Sequence, residues 1–152
     1  MTKSAKYSRT PTPEEIASFK GMHCHRKYRE AVDSGWRCPS CHRTAQQLIR
    51  WTEIKGPFWR ATFGDSYGMG FTISIVDHHC HGDGRFPQTR LCGDCNSADG
   101  AVKRKWRLPK EWSFSPAELA LFVTVPPHSG QTHIDHELAL QIFRRSYVKP
   151  LD

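Results

Sequence analysis

Two CxxC pairs constrain what this chain can fold into more than any other feature. Cys38-Pro39-Ser40-Cys41 and Cys92-Gly93-Asp94-Cys95 are separated by residues 42–91. Two residues between cysteines let both sulfurs of a pair face one ion from a tight turn, and Pro-Ser and Gly-Asp fill such turns well. The spacing predicts that the pairs converge on a structural Zn2+ held by Cys38, Cys41, Cys92 and Cys95, so segments distant in sequence must meet there. The stretch between them is long for an ordinary zinc finger and has room for strands, a hairpin and a loop that carries chemistry. His42, directly after Cys41, is expected to face solvent from the turn. Cys24 and Cys80 are left over within His23-Cys24-His25 and His78-His79-Cys80-His81, and are expected as partly buried thiols rather than a second metal site.

Composition fits a small stapled domain. Hydrophobic residues make up 38% of the 152, the lower edge of globular composition even with the 11 glycines added. A bound metal supplements so modest a core. CxxC spacing favours metal over disulfides, so a reducing, cytoplasmic compartment is expected. Met1 to Pro13 lacks an apolar stretch and no segment approaches a membrane span, so neither a signal peptide nor a membrane partner is expected. Lys plus Arg outnumber Asp plus Glu by 22 to 15, a formal charge of +7. That balance favours a polyanion such as nucleic acid, although four thiolates with one dication would make the folded chain somewhat less basic.

The pattern along the chain predicts an α+β fold. Residues 1–11 read as a basic arm. Thr12-Pro13-Glu14-Glu15 is a capping box that should open a helix running to about Val32, with Gly35 as its stop. Residues 48–53 are a short strand or helix, and residues 57–70 a loop or irregular hairpin. Phe71 to Val76 alternates at period two and should be a strand. Gly82-Asp83-Gly84 then turns the chain, residues 85–91 return as a second strand, and a helix runs from Cys92 to about Trp106 despite Gly100. Ser115-Pro116-Ala117-Glu118 should cap a helix to about Val123, and Thr132 one over residues 133–147. The implied organisation is an N-terminal arm and helix (1–35), a zinc-stapled core (36–110) and a C-terminal helical segment (111–152).

The expected strand ends on Asp77-His78, and Asn96 follows the last cysteine. Hydrolysis of a phosphodiester needs an activated water and a cation on the phosphate charge. A histidine can take the water's proton, while a carboxylate and an amide oxygen suit a hard cation. Neighbours on a strand point to opposite faces, so Asp77 and His78 can serve different roles.

Cys38–Cys41, Asp77-His78 and Leu91-Cys92-Gly93-Asp94-Cys95-Asn96-Ser97-Ala98-Asp99-Gly100 together resemble the HNH endonucleases, closest to the branch similar to recombination endonuclease VII, over about residues 36–105. The resemblance implies a ββα-metal core flanked by N- and C-terminal helices. It implies a metal-dependent DNA endonuclease that leaves 5′-phosphate and 3′-hydroxyl ends. Asp77 and Asn96 would bind a catalytic Mg2+ or Mn2+, and His78 would be the general base. His79 is the alternative if the strand ends one residue later. The Asn that orients the histidine in that family has no evident counterpart; Gln88 or a backbone carbonyl would do its work. Arg85, Arg90, Lys103, Arg104 and Lys105 are candidate nucleic-acid contacts, with Arg107 and Trp106 among them, and Trp51, Phe58, Trp59 and Trp112 are candidate stacking or core residues. DNA is the expected partner, met by one copy, a homodimer, or the nuclease subunit of a phage or restriction assembly. A non-catalytic zinc module for nucleic acid or protein is the competing reading.

Overall fold

A computed structural model describes residues 9–55, 67–80, 82 and 84–147. Phe58, Trp59, His81 and Asp83, residues 57–66 of the loop or hairpin expected over 57–70, and most of the basic arm lie outside the described residues, while residues 67–70 are strand. The fold is α+β, with three two-stranded sheets among the described residues, and it divides into two compact units.

The first unit falls within Met1–Arg37, Arg43–Ile75 and Pro126–Gln131. The Thr12 capping box forms as expected and opens helix α1, Pro13–Ser18. The single helix expected to Val32 is divided, however. Gly21 stands at φ 94°, where a Cβ would meet His25 Cα and Tyr28 Cβ at 2.8 Å, so only glycine fits the corner. After a 3-10 turn (Met22–Cys24), α2 spans His25–Ser34 and ends on left-handed Gly35, the predicted stop. Strands β1 (Arg50–Lys55) and β2 (Tyr67–Thr72) pair antiparallel, in a register that sets Trp51 opposite Phe71. Their rings meet edge-on at 4.8 Å with the Arg9 guanidinium over both, a cross-strand aromatic pair that fixes register. Residues 48–53, ambiguous in sequence, are therefore mostly strand, preceded by a 3-10 turn, Gln46–Leu48.

The second unit falls within Cys38–His42, Val76–Val125 and Thr132–Asp152. The strand expected over residues 71–76 is split: its start belongs to β2, and β3 runs Ile75–His78, paired with β4 (Thr89–Cys92). Buried Ile73 and Ile75 bracket the switch between partners. The return strand is shorter than expected because Pro87 has no N–H to give a ladder and Arg85 is turned into an ion pair with Glu118. Helix α3 spans Gly93–Trp106, uninterrupted at Gly100. Helix α4, Pro116–Phe122, carries the predicted Ser115–Glu118 capping box. The last helix begins later than expected. His133-Ile134 (β6) pairs with Val123-Thr124 (β5), and Asp135 rather than Thr132 caps α5, His136–Ser146. Trp112, Phe114, Phe122 and Phe143 form a chain of edge-to-face contacts at 4.5–5.0 Å within this unit.

No helix is long and apolar enough to cross a membrane among the described residues.

Candidate metal centre and the His78–Asn96 pair

The two CxxC turns converge as the spacing predicts. One sulfur from each of Cys38, Cys41, Cys92 and Cys95 lies within 4.8 Å of the other three. Each turn is held locally. The backbone N–H of His42 donates to Cys38 O at 2.8 Å, and His42 takes a left-handed φ of 64°. Buried Ser40 donates its hydroxyl to Pro116 O at 3.0 Å. On the other side Cys92 is the N-cap of α3, its Sγ accepting from Cys95 N–H at 3.4 Å. One sulfur thus closes the helix end and faces the cluster.

The donor set can be tested for a metal. A tetrahedral zinc about 2.3 Å from each sulfur places neighbouring sulfurs ~3.8 Å apart. Cys41 and Cys92 Sγ stand at 3.8 Å, and all four thiols are free of disulfides. Contact with Cys41 opposes ionisation of Cys38, yet sulfur hydrogen bonds from Cys92 and Cys95 outweigh it and bring Cys38 down to about 6. Contact with Cys38 and Cys41 pushes Cys92 and Cys95 up. Sulfurs this close disfavour further thiolates unless a cation sits between them, and a bound dication supplies that charge. The cluster can therefore hold a structural metal ion such as zinc. Among the described residues it is the one group of three or more His, Cys, Asp or Glu side chains close enough to do so. His42 is exposed, and Cys24 and Cys80 take no part; Cys80 instead donates to Glu111 O at 3.3 Å.

Asn96, the residue after Cys95, lies beside His78. His78 Nδ1 is 2.9 Å from Asn96 Oδ1, and Nε2 is 2.8 Å from the carbonyl oxygen of Phe114. A carbonyl only accepts, so Nε2 carries a proton and donates it. A neutral ring then leaves Nδ1 as the basic nitrogen, and Asn96 must present its NH2 there; an imidazolium would instead donate to Oδ1. The ring is 3% exposed and stacks on Phe86 at 5.2 Å. A backbone carbonyl thus orients the histidine, while Gln88 is exposed.

The remaining sequence candidates are placed as follows. At the end of β3, Asp77 is exposed where its neighbour His78 is buried. His79 is exposed just beyond the strand. Arg85 is spent inside the unit: it forks onto the Glu118 carboxylate at 3.1 Å, donates to Ser113 O at 2.6 Å and lies over the Trp112 ring. Lys103 pairs with buried Asp99 at 3.1 Å and donates to Trp112 O and Ser113 Oγ. Both candidate contacts are engaged within the fold, Lys103 with buried Asp99 and Arg85 with the half-buried Glu118 carboxylate. Arg90 is half-buried, while Arg104 and Lys105 are exposed.

Two residues that matter here carried little sequence signal. Asp99 Oδ1 accepts from Phe114 N–H at 2.8 Å, so both backbone polar groups of Phe114 are held, its N–H by Asp99 and its carbonyl by His78. The i,i+4 spacing of Asp99 and Lys103 was visible in the sequence; that the pair is buried was not.

No family model, curated protein or solved structure matches the chain.

Proposed function

We propose that the chain is a metal-dependent DNA endonuclease of the HNH type, with β3, β4 and α3 as its ββα core and the four-cysteine site as its staple. The observation that carries this reading is His78, on a strand end, meeting Asn96, on the first turn of the helix that the cysteines anchor. That helix start is fixed by Cys92 and Cys95, so the staple also sets where Asn96 stands.

In this reading Phe114 O holds His78 with Nε2 protonated, leaving Nδ1 to take a proton from water. Asn96 lies on Nδ1, so it must yield that contact for water to approach. Asn96 and Asp77 would hold the Mg2+ or Mn2+, two hard oxygen donors that leave the other positions to water and phosphate. When bound, such an ion offsets charge on the phosphate and on the leaving 3′ oxygen.

The second reading, a non-catalytic zinc module, is favoured by the burial of His78 with both ring nitrogens paired. Supercoiled plasmid incubated with zinc-loaded protein and Mg2+, Mn2+ or chelator separates the two. The nuclease reading expects cation-dependent nicking or linearisation that is lost in His78→Ala with zinc content unchanged. Absence of cutting by folded protein, or full cutting by His78→Ala, His79→Ala together, refutes it.

A further inference from the structure

Helix α3 does more than carry Asn96. A groove of about 470 Å³ at its C-terminal end is lined by Gly100, Lys103, Arg104, Arg107, Leu108 and Lys110, four cations and no acid. Lys103 is committed to Asp99, but among the described residues Arg104, Arg107 and Lys110 make no side-chain hydrogen bond or ion pair, and all three are exposed. We propose that this groove seats the phosphodiester backbone of duplex DNA, an inference that rests on the nuclease reading above and names where its substrate lies.

Three observations support it. First, Asn96, Gly100, Arg104 and Arg107 recur at helical spacing, so the groove residues lie on the same stripe of α3 as Asn96. From Asn96 to Arg104 the rise is roughly 12 Å, about the axial length of three or four phosphate steps of one strand. Second, Arg107 is the C-cap of α3 at φ 52°, ψ 47°, the left-handed conformation for which glycine is the usual residue. The arginine is strained there, and it lines the groove. Third, Gly100 sits in the middle of the helix, where it is the least favourable residue after proline. A Cβ on it would meet Arg104 Nη1 at 3.2 Å and nothing else within 4 Å, so its absence keeps the groove floor open and leaves Arg104 its place. The helix dipole accounts for cations near a C-terminus but for neither of the last two choices. Both work against helix stability, and both shape the same groove.

The test uses substitutions that improve the helix. Binding of a fluorescein-labelled 20-base-pair duplex is followed by anisotropy across a salt series, without added divalent cation, using zinc-loaded full-length protein. Arg107→Gly relieves the strained cap and Gly100→Ala raises helix propensity, so each should leave Tm unchanged or raise it by about 2–4 °C. Arg107→Gly and Arg104→Ala should each weaken binding several-fold and flatten the slope of log K against log salt by about 0.9. Gly100→Ala should weaken binding without changing the slope by a full contact. Arg26→Ala, a cation outside the groove with an 84% exposed side chain, should do neither. Unchanged affinity in the groove variants of a protein that cuts plasmid overturns the groove and leaves the nuclease reading standing. An equal loss in Arg26→Ala reduces the effect to net charge and also overturns it. Absence of duplex binding by a protein that still cuts single strands overturns the choice of duplex.

Discussion

Asp99 offers the sharpest test of how the second unit is held together. Its side chain is 7% exposed and that of its partner Lys103 16%, with Nζ and Oδ2 at 3.1 Å. The other carboxylate oxygen takes the Phe114 N–H at 2.8 Å. Asp99→Ala removes both interactions. An unsatisfied buried N–H costs about 1–3 kcal/mol. Breaking a buried ion pair from one side costs about 3–5 kcal/mol, because the remaining charge stays uncompensated. Lys103 keeps Trp112 O and Ser113 Oγ and has some access to water, which moves the sum to the low end. A total near 4 kcal/mol follows, or a fall in Tm of roughly 8–16 °C for a chain of this size. Asp99→Asn keeps an acceptor for Phe114 and loses only the ionic part, about 3 kcal/mol. In Asp99→Asn, Lys103→Met no stranded charge remains, so the double variant should recover about 1–2 kcal/mol relative to the sum of the singles. Urea unfolding at fixed zinc gives all four values. A cost below ~1 kcal/mol for Asp99→Ala, or strict additivity in the cycle, would refute the buried pair as an organising interaction.

Two further outcomes are expected. Stripping the metal with a strong chelator, or Cys95→Ser, should abolish zinc binding and cooperative unfolding of the cysteine-bearing unit, since structural zinc supplies roughly 10–16 kcal/mol of apparent free energy against a typical total of about 5–15; a chelator-treated chain with an unchanged melt would exclude a structural role for the ion. Burial acts to raise the Glu118 pKa, but hydrogen bonds from Arg85, the Ser115 N–H and Ser146 outweigh it and hold it below the ordinary carboxylate value. A depressed folded-state pKa means that stability is fully present above the unfolded-state value near ~4.3 and is lost as pH falls through the lower folded-state value. Glu118→Gln should therefore lower stability at neutral pH and flatten this acid limb, which pH-dependent urea midpoints would measure; an unchanged acid limb would refute the assignment.

How much was legible depended on the range of the signal. Capping boxes at Thr12 and Ser115 and the Gly35 stop are local chemistry, and all three formed where the residues predicted. The convergence of four cysteines is long-range, yet the CxxC turns announced it, since few other arrangements use such spacing. Breaks in regular elements were less visible. The Gly21 corner depends on Tyr28 packing back against it, and the switch from β2 to β3 depends on two different partner strands. Neither partner is encoded near the break. The sequence likewise offered Arg85 and Lys103 as surface cations. Only the folded chain reveals that Glu118 and Asp99 face them from 33 and 4 residues away.

The faces of α3 show how a modest hydrophobic complement can orient a whole helix. Cys95, Ala98, Asp99 and Val102 form its buried face, where sulfur and carboxylate groups join the apolar contacts. Cys95 joins the four-cysteine cluster, and Asp99 orders the segment whose Phe114 carbonyl receives His78. The stripe beside that face carries Asn96, Gly100 and the unpaired arginines. Because a helix is rigid over one or two turns, fixing its start through Cys92 and Cys95 fixes the azimuth of every residue that follows. A helix anchored by packing alone could rotate when a core side chain changed size. A metal held tetrahedrally by the four sulfurs would permit far less rotation, so a filled site would set the orientation of Asn96 and of the basic groove independently of the size of the core.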